Sequence, residues 1–180
     1  MAVTHGKIVP RAVRTLSGSP IPKHSVPEKA TRTFKKGAVV FVNAGFLDEC
    51  GANPTLIFGV CTQDGSNSAS DGTVNNQVEL AHPDVLYRGY VDSNDSGTFN
   101  SGANTDLMKG YGISRSATAP NQWFVDTNKT GNNVRVVIWE FWSEVNYTYV
   151  GDTLPHVVFG FTFHSDQGTQ NVNFQGSLGS

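Results

Sequence analysis

The sequence predicts an all-β protein: a small β-barrel or β-sandwich body, either one unit or two packed β subdomains, preceded by a long extended N-terminal arm. Short β-rich runs recur through the chain and indicate the strands. Turn-forming clusters such as Asp64-Gly65 interrupt the chain too often for long helices. Proline and charge set the first residues apart from the rest. We therefore divide the chain into a basic, proline-rich arm at 1–36 and a β-rich body at 37–180.

The arm differs from the body in proline content and in charge. It holds four of the eight prolines, and proline fixes φ and removes a backbone donor, so an extended course is expected. The arm contains eight basic side chains and a single acid, Glu28, which gives it a net charge of +7. The body carries five basic and fourteen acidic side chains, a net charge of −9. This asymmetry predicts that the arm contacts an acidic surface, either on a partner or on its own body.

The arm residues that we expect to contact a partner are basic and spread along its length. They are Arg11, Arg14, Lys23, Lys29, Arg32 and Lys35.

Seven β-rich runs indicate the strands of the body. They lie at 38–42, 55–61, 85–91, 123–125, 134–142, 145–150 and 156–164. This number of short strands, with turn signals between them, favours a barrel or a sandwich.

The run at 134–142 is apolar almost throughout, which predicts a central strand covered on both faces. The loop at 127–133 would join it to the run at 123–125 as a hairpin. Two polar stretches, 64–76 and 92–106, read as long surface loops. If the body divides into two subdomains, the boundary is expected near residue 110.

The run at 156–164 alternates between large apolar residues and other residues. A period of two is typical of a half-buried strand, so one face is expected to meet the core. That face would present Val157, Phe159, Phe161 and Phe163.

No motif for catalysis, metal binding or phosphate binding is recognised. The segment from Asp92 to Gly97 begins like a calcium loop, but Ala103 stands where a bidentate Glu is needed. Cys50 and Cys61 lack metal-ligand spacing and are interpreted as buried free thiols. The expectation is a protein with no enzymatic activity, no cofactor and no metal.

The remaining signals leave two kinds of binding open. The basic residues of the arm are scattered and only Phe34 is aromatic among them, which argues against nucleic acid as the partner. Trp139, Phe141 and Trp142 crowd one run and could form a sugar-binding platform, although core packing is the commoner use of such a cluster. Neither a signal peptide nor a membrane span is visible, so synthesis in a cytosol is expected.

Short turn and strand motifs follow one another along residues 33–165. The first half contains Thr-Phe-Lys-Lys-Gly-Ala at 33–38, Gly-Phe-Leu at 45–47, Ile-Phe-Gly-Val at 57–60 and Asp-Gly-Ser-Asn at 64–67. The second half contains Tyr-Gly-Ile at 111–113, Trp-Phe-Val-Asp at 123–126 and Val-Arg-Val at 134–136. Together these motifs resemble the small β-rich auxiliary head proteins of tailed bacteriophages.

The resemblance implies a capsid decoration, or cement, protein made in the host cytoplasm and located in the virion. Its implied partners are the major capsid protein and other copies of itself, a trimer being one option. It implies a structural role, in which the protein stabilises the capsid lattice by bridging neighbouring subunits. The alternative is a carbohydrate-binding or host-adhesion β module, for which the aromatic cluster and the polar loops are the motivation.

Overall fold

The computed structural model describes residues 7–66, 68–97, 106–117, 122–142 and 153–162. The predicted all-β class is confirmed, with 45% strand and 3% helix. Eleven strands occur in the described residues. They are β1 (Arg11–Thr15), β2 (Lys23–Pro27), β3 (Val39–Asn43), β4 (Phe46–Glu49), β5 (Gly59–Cys61), β6 (Asn75–Leu80), β7 (Val85–Asp92), β8 (Gly110–Arg115), β9 (Trp123–Asp126), β10 (Val136–Phe141) and β11 (His156–Phe161).

The first sheet has five strands in the order β2-β6-β5-β3-β4, all paired antiparallel. Its two outer strands approach each other at one point, where Glu28, just after β2, forms a parallel bridge with Leu47 of β4. The turn between β3 and β4 places Ala44 and Gly45 at positive φ, and Gly45 adopts this conformation without steric cost. Because the bridge between Glu28 and Leu47 connects its two outer strands, the sheet curls almost into a closed ring.

The second sheet has six strands in the order β1-β7-β11-β10-β8-β9. The second half of β7 also pairs parallel with β9, at Val91 with Val125 and at Asp92 with Asp126. That pairing closes β7, β11, β10, β8 and β9 into a five-stranded barrel. Strand β1 adds to the first half of β7 and lies outside the closed ring. All eight residues of β7 are buried, as expected for a strand with neighbours on both sides.

One hydrophobic core joins the two sheets. Val39, Val60 and Val78 from the first sheet belong to the same buried cluster as Tyr87 and Trp123 from the second. The phenol of Tyr87 donates hydrogen bonds to the backbone carbonyls of residues 79 and 80 in β6, at 3.0 and 2.6 Å. The two sheets are thus packed as one body. Apart from β1, the chain passes from the strands of the first sheet to those of the second between β6 and β7, and not near residue 110 as the sequence suggested.

The separation of arm from body at residue 36 is not what the structure has. The extended course is confirmed, but residues 11–15 and 23–27 are strands of the two sheets. Val26 and Phe34 are buried in the common core. Charge and proline content describe the surface and the backbone of this segment, but they do not reveal the few apolar residues that attach it to the body.

Two further expectations are wrong in detail. Strands β9 and β10 do not form a hairpin, because β8 lies between them and pairs with both. The face of β11 that was predicted to meet the core does so, since Val157, Phe159 and Phe161 belong to the core cluster. The other face is buried as well, because Val158 is 0% exposed. Strand β10 is central, as predicted, and its first half is fully buried. The run at 145–150 and Phe163 lie outside the described residues.

Candidate functional site

The basic N-terminal segment, residues 7–36, follows the outside of both sheets. Strand β1 supplies an edge to the barrel sheet, and β2 supplies an edge to the first sheet. The connection at 16–22 contains Pro20 and Pro22 and is largely exposed. The segment is therefore fastened at two strands and at the buried Phe34, with its basic side chains on the outside.

Five of the six basic residues predicted to contact a partner form ion pairs with acids of their own chain. These pairs are Arg14 with Glu140 at 2.9 Å, Lys23 with Glu79 at 3.9 Å, Lys29 and Arg32 with Asp48 at 3.7 and 2.9 Å, and Lys35 with Asp64 at 3.0 Å. The basic side chains of the N-terminal segment are thus paired mainly with acids of the same molecule. The pairs of Arg14 with Glu140 and of Lys35 with Asp64 are exposed on both sides and are worth at most about 1 kcal/mol each, so a partner can compete for them.

One of these pairs, Arg32 with Asp48, borders a polar cleft of about 320 Å³. Arg32 lines the cleft and forms an ion pair with the buried carboxylate of Asp48. On the other wall Glu49 accepts hydrogen bonds from Arg115 (2.8 Å) and from the indole N–H of Trp123 (3.1 Å). The acidic pair at 48–49 therefore serves as a link between the N-terminal segment, the first sheet and the barrel, and both carboxylates already have cationic partners.

A second cleft, of about 310 Å³, lies where β1 approaches β2 and β6. Arg11, Lys23 and Lys36 line it, and Glu79 is its one acidic side chain. The carboxylate of Glu79 accepts the backbone N–H of Ala12 at 2.7 Å. Neither Arg11 nor Lys36 has a carboxylate within 4 Å among the described residues, and both are exposed. The sequence singled out Arg11 but not Lys36.

The one acid of the segment, Glu28, has a structural role that the sequence did not show. It is 2% exposed, and its carboxylate accepts hydrogen bonds from the Ser66 N–H (2.7 Å), the Ser66 hydroxyl (2.6 Å) and the Asn76 amide (3.0 Å). Glu28 thereby fixes the start of the polar stretch at 64–76 against β2 and β6. The isolated position of an acid in a basic segment was the only available signal.

A second buried polar cluster lies at one end of the barrel. Ser114 donates to Oδ2 of Asp126 at 2.8 Å, and Nζ of Lys129 lies 2.5 Å from the Ser114 hydroxyl oxygen and 3.6 Å from the same carboxylate. A serine beside a lysine is the arrangement of some acyl-transfer enzymes, in which the amine must be neutral to accept a proton. Here the amine of Lys129 is paired with the carboxylate of Asp126. We interpret this cluster as a structural ion pair.

The stretch that begins like a calcium loop is closed by its own backbone. The carboxylate of Asp92 accepts the N–H groups of Ser93 (2.7 Å) and Gly97 (3.0 Å) and is fully buried. Its oxygens point into the loop. In the described part of the chain, no group of three or more His, Cys, Asp or Glu side chains could hold a metal ion.

The aromatic cluster is divided between core and surface. Phe141 packs against the core, whereas the Trp142 ring is covered by the Arg88 guanidinium, 4.7 Å from the ring centroid. Arg88 also lies 3.0 Å from Nδ1 of His156. A sugar platform needs an open ring face, and this face of Trp142 is occupied.

Both cysteines are free and buried, as the sequence predicted. Burial raises the pKa of the Cys61 thiol to about 12, and burial raises that of Cys50 as well. The Cys61 thiol donates to the carbonyl of Lys35 at 2.9 Å. These thiols are therefore neutral and pack as small apolar groups.

No helix among the described residues is long and apolar enough to cross a membrane. Comparisons with protein-family models, with curated proteins and with solved structures found no match.

Proposed function

We propose that this chain is a non-enzymatic virion structural protein that binds an assembled major-capsid lattice and stabilises it, as a decoration or cement protein. The sequence motifs that resemble the auxiliary head proteins of tailed bacteriophages are the starting point. The observation that supports it most is the course of the N-terminal segment. An extended chain with exposed basic side chains lies along the outer edges of both sheets, where a neighbouring protein can reach it.

The energetics of the segment suit a role in assembly. Strand β1 is an edge strand, and edge strands present backbone groups to partners wherever no side chain already caps them, as Glu79 caps the N–H of Ala12. Its side chains are mostly exposed or half-buried, so little apolar area holds it. Two ion pairs of the segment, Arg14 with Glu140 and Lys35 with Asp64, are surface pairs that can be exchanged for pairs with another protein. Repeated attachment over a lattice would raise the apparent affinity without any single strong site.

The test is co-sedimentation with capsids assembled from the cognate major capsid protein. Wild-type protein should pellet with capsids in a saturable manner. Charge reversal of Arg11, Arg14, Arg32 and Lys35 together should weaken binding at least tenfold. The loss should be smaller in 1 M salt, where the screening length falls to about 3 Å.

The matched control is Lys109→Glu, which reverses an equally exposed charge outside the segment. It should leave capsid binding unchanged. Wild-type protein that stays in the supernatant at all salt concentrations would contradict the proposed function.

A further inference from the structure

The cleft between β1, β2 and β6 has more positive charge than its own acid can neutralise. Three cationic side chains, Arg11, Lys23 and Lys36, line it together with the single carboxylate of Glu79. Lys23 is 3.9 Å from Glu79 and shares its charge. Arg11 and Lys36 add two positive charges, and no carboxylate of the described residues lies within 4 Å of the charged group of either side chain. The nearby Asp64 carboxylate accepts the backbone N–H of Lys36 and pairs with Lys35. The rest of the N-terminal segment differs, since the basic residues at 14, 29, 32 and 35 each have an acid within 4 Å.

The backbone next to this cleft already accepts a carboxylate. Strand β1 is an edge strand, and the N–H of Ala12 is bonded to Oε2 of Glu79 instead of to another strand. The register of β1 against β7 shifts between Ala12 and Arg14, which is a bulge. Bulges and capped edges prevent indiscriminate strand addition. A ligand at this position would consequently be recognised by its charge rather than by strand pairing alone.

We propose that this cleft, through Arg11 and Lys36, binds an acidic peptide segment of a protein partner. The inference rests on the proposed function in that the partner's segment would belong to the capsid lattice, and it names where on this chain that contact is made. Arg11 offers a planar fork that can hold a carboxylate with two hydrogen bonds, and Lys36 offers a point charge. The rim position of both side chains predicts a fast, salt-dependent association.

The Cys61 thiol, which lines the same cleft, does not oppose an anion. It is 1% exposed and remains neutral because burial disfavours its thiolate. Thr62, next to it, lines the cleft as well. An incoming carboxylate therefore meets two unpaired cations and neutral groups, with the one acid, Glu79, already bonded to Ala12 and facing Lys23.

The probe is a fluorescein-labelled hexaglutamate peptide, and hexaglutamine is the uncharged control. Full-length protein should bind hexaglutamate, measured by fluorescence anisotropy at 50 mM salt, and should not bind hexaglutamine. Arg11→Glu with Lys36→Glu should weaken binding at least tenfold. Lys109→Glu makes the same type of charge change elsewhere and should leave binding within twofold. Unfolding midpoints in urea confirm that both variants are folded.

The outcomes separate this inference from the proposed function. Equal hexaglutamate binding by wild type and by the Arg11/Lys36 variant would overturn the cleft as the site. Displacement of the peptide by millimolar inorganic phosphate alone would also overturn it, because the site would then be a simple anion site. Capsid binding by a variant that has lost peptide binding would contradict the inference while leaving the proposed function intact. Peptide binding that depends on Arg11 and Lys36 without any capsid binding would refute the function and retain the site.

Discussion

Buried carboxylates fix the loops of this protein. Glu28, Asp92 and Asp126 are each at most 2% exposed, and each accepts backbone or hydroxyl hydrogens from a polar stretch. Hydrogen bonds to a buried carboxylate offset the cost of removing it from water. Part of the acidic excess of the chain is therefore structural. From the sequence, the excess acids of the body were expected to lie on its surface, because residue type alone does not reveal which acids are buried.

Replacing Glu28 by Gln is expected to destabilise the fold by about 1–3 kcal/mol, because the new amide group would face the donors of Ser66 and Asn76 and leave them unsatisfied. Urea unfolding followed by circular dichroism measures the change. The matched control is Glu140→Gln, whose pair with Arg14 is half-exposed and should contribute less than about 1 kcal/mol. Equal losses in the two variants would show that Glu28 is not buried as described.

Asp95 is expected to make stability depend on pH in acid. Desolvation acts to raise its pKa, but hydrogen bonds from Lys7, Ser116 and the Ala117 N–H outweigh it and hold the pKa below the ordinary value. A depressed folded-state pKa contributes stability that is present above the unfolded value of about 3.9 and lost as the pH falls through the folded value. Asp95→Asn should therefore be less stable than wild type at pH 7, and the difference should shrink below about pH 4.

Urea midpoints of both proteins between pH 7 and pH 2.5 provide the measurement. A difference in unfolding free energy that stays constant over this range would contradict the role assigned to the Asp95 carboxylate.

At the scale of elements, the sequence predicts strands well where apolar residues concentrate and poorly where they do not. Strands β3, β5, β7, β9, β10 and β11 fall within or overlap the predicted runs. Strands β4, β6 and β8 were missed, and β1 and β2 were expected only as parts of an extended arm. In β6, Asn76 and Val78 are buried while Asn75 and Gln77 are exposed. The pattern is present in this strand, but Asn76 replaces an apolar residue because Glu28 needs its amide.

The candidate site could be predicted only in part. Charge along the sequence identified Arg11 and the other basic residues of the N-terminal segment. It could not show that all but one of the six would be paired within the chain, because the partners lie far away in sequence, as for Arg14 and Glu140. Nor could it show Lys36 beside Arg11, since that proximity depends on the chain at Val9 and Pro10 lying against Gly37 in the fold.

Strands β1 and β2 are expected to differ in their importance for folding. The barrel closes through β7 and β9 without β1, so removal of residues 1–18 should leave a folded protein. Removal of residues 1–36 also takes away β2, Val26, Glu28 and the buried Phe34, and should unfold the first sheet.

Proton–nitrogen correlation spectra of the two truncated proteins distinguish these outcomes. The shorter deletion should retain dispersed resonances, and the longer one should lose dispersion throughout, because the two sheets share one core. A well-dispersed spectrum after removal of residues 1–36 would show that the first sheet does not depend on the segment.

At the scale of the whole molecule, the two sheets share one core and several polar links. Glu49 of β4 contacts both Arg115 of β8 and Trp123 of β9, and the Asn53 N–H donates to the carbonyl of Ile113 at 3.0 Å. Neither sheet can separate without exposing apolar area of the other, and exposure costs roughly 25 cal/mol per Å². We therefore expect the described parts of both sheets to unfold in one cooperative step.

The chain contains separate natural probes for the two sheets, so cooperative unfolding can be tested without introducing reporter residues. All three tryptophans, Trp123, Trp139 and Trp142, lie in or directly after strands of the barrel sheet, so their fluorescence reports on that sheet. Both cysteines lie in or beside strands of the first sheet, and their burial prevents reaction with an aromatic disulfide reagent until that sheet opens. Fluorescence and thiol reactivity measured against urea concentration should give the same midpoint, because opening either sheet disrupts the shared core. Thiols that react at lower urea than the fluorescence transition would show that the first sheet opens alone, and the two sheets would then be separate folding units.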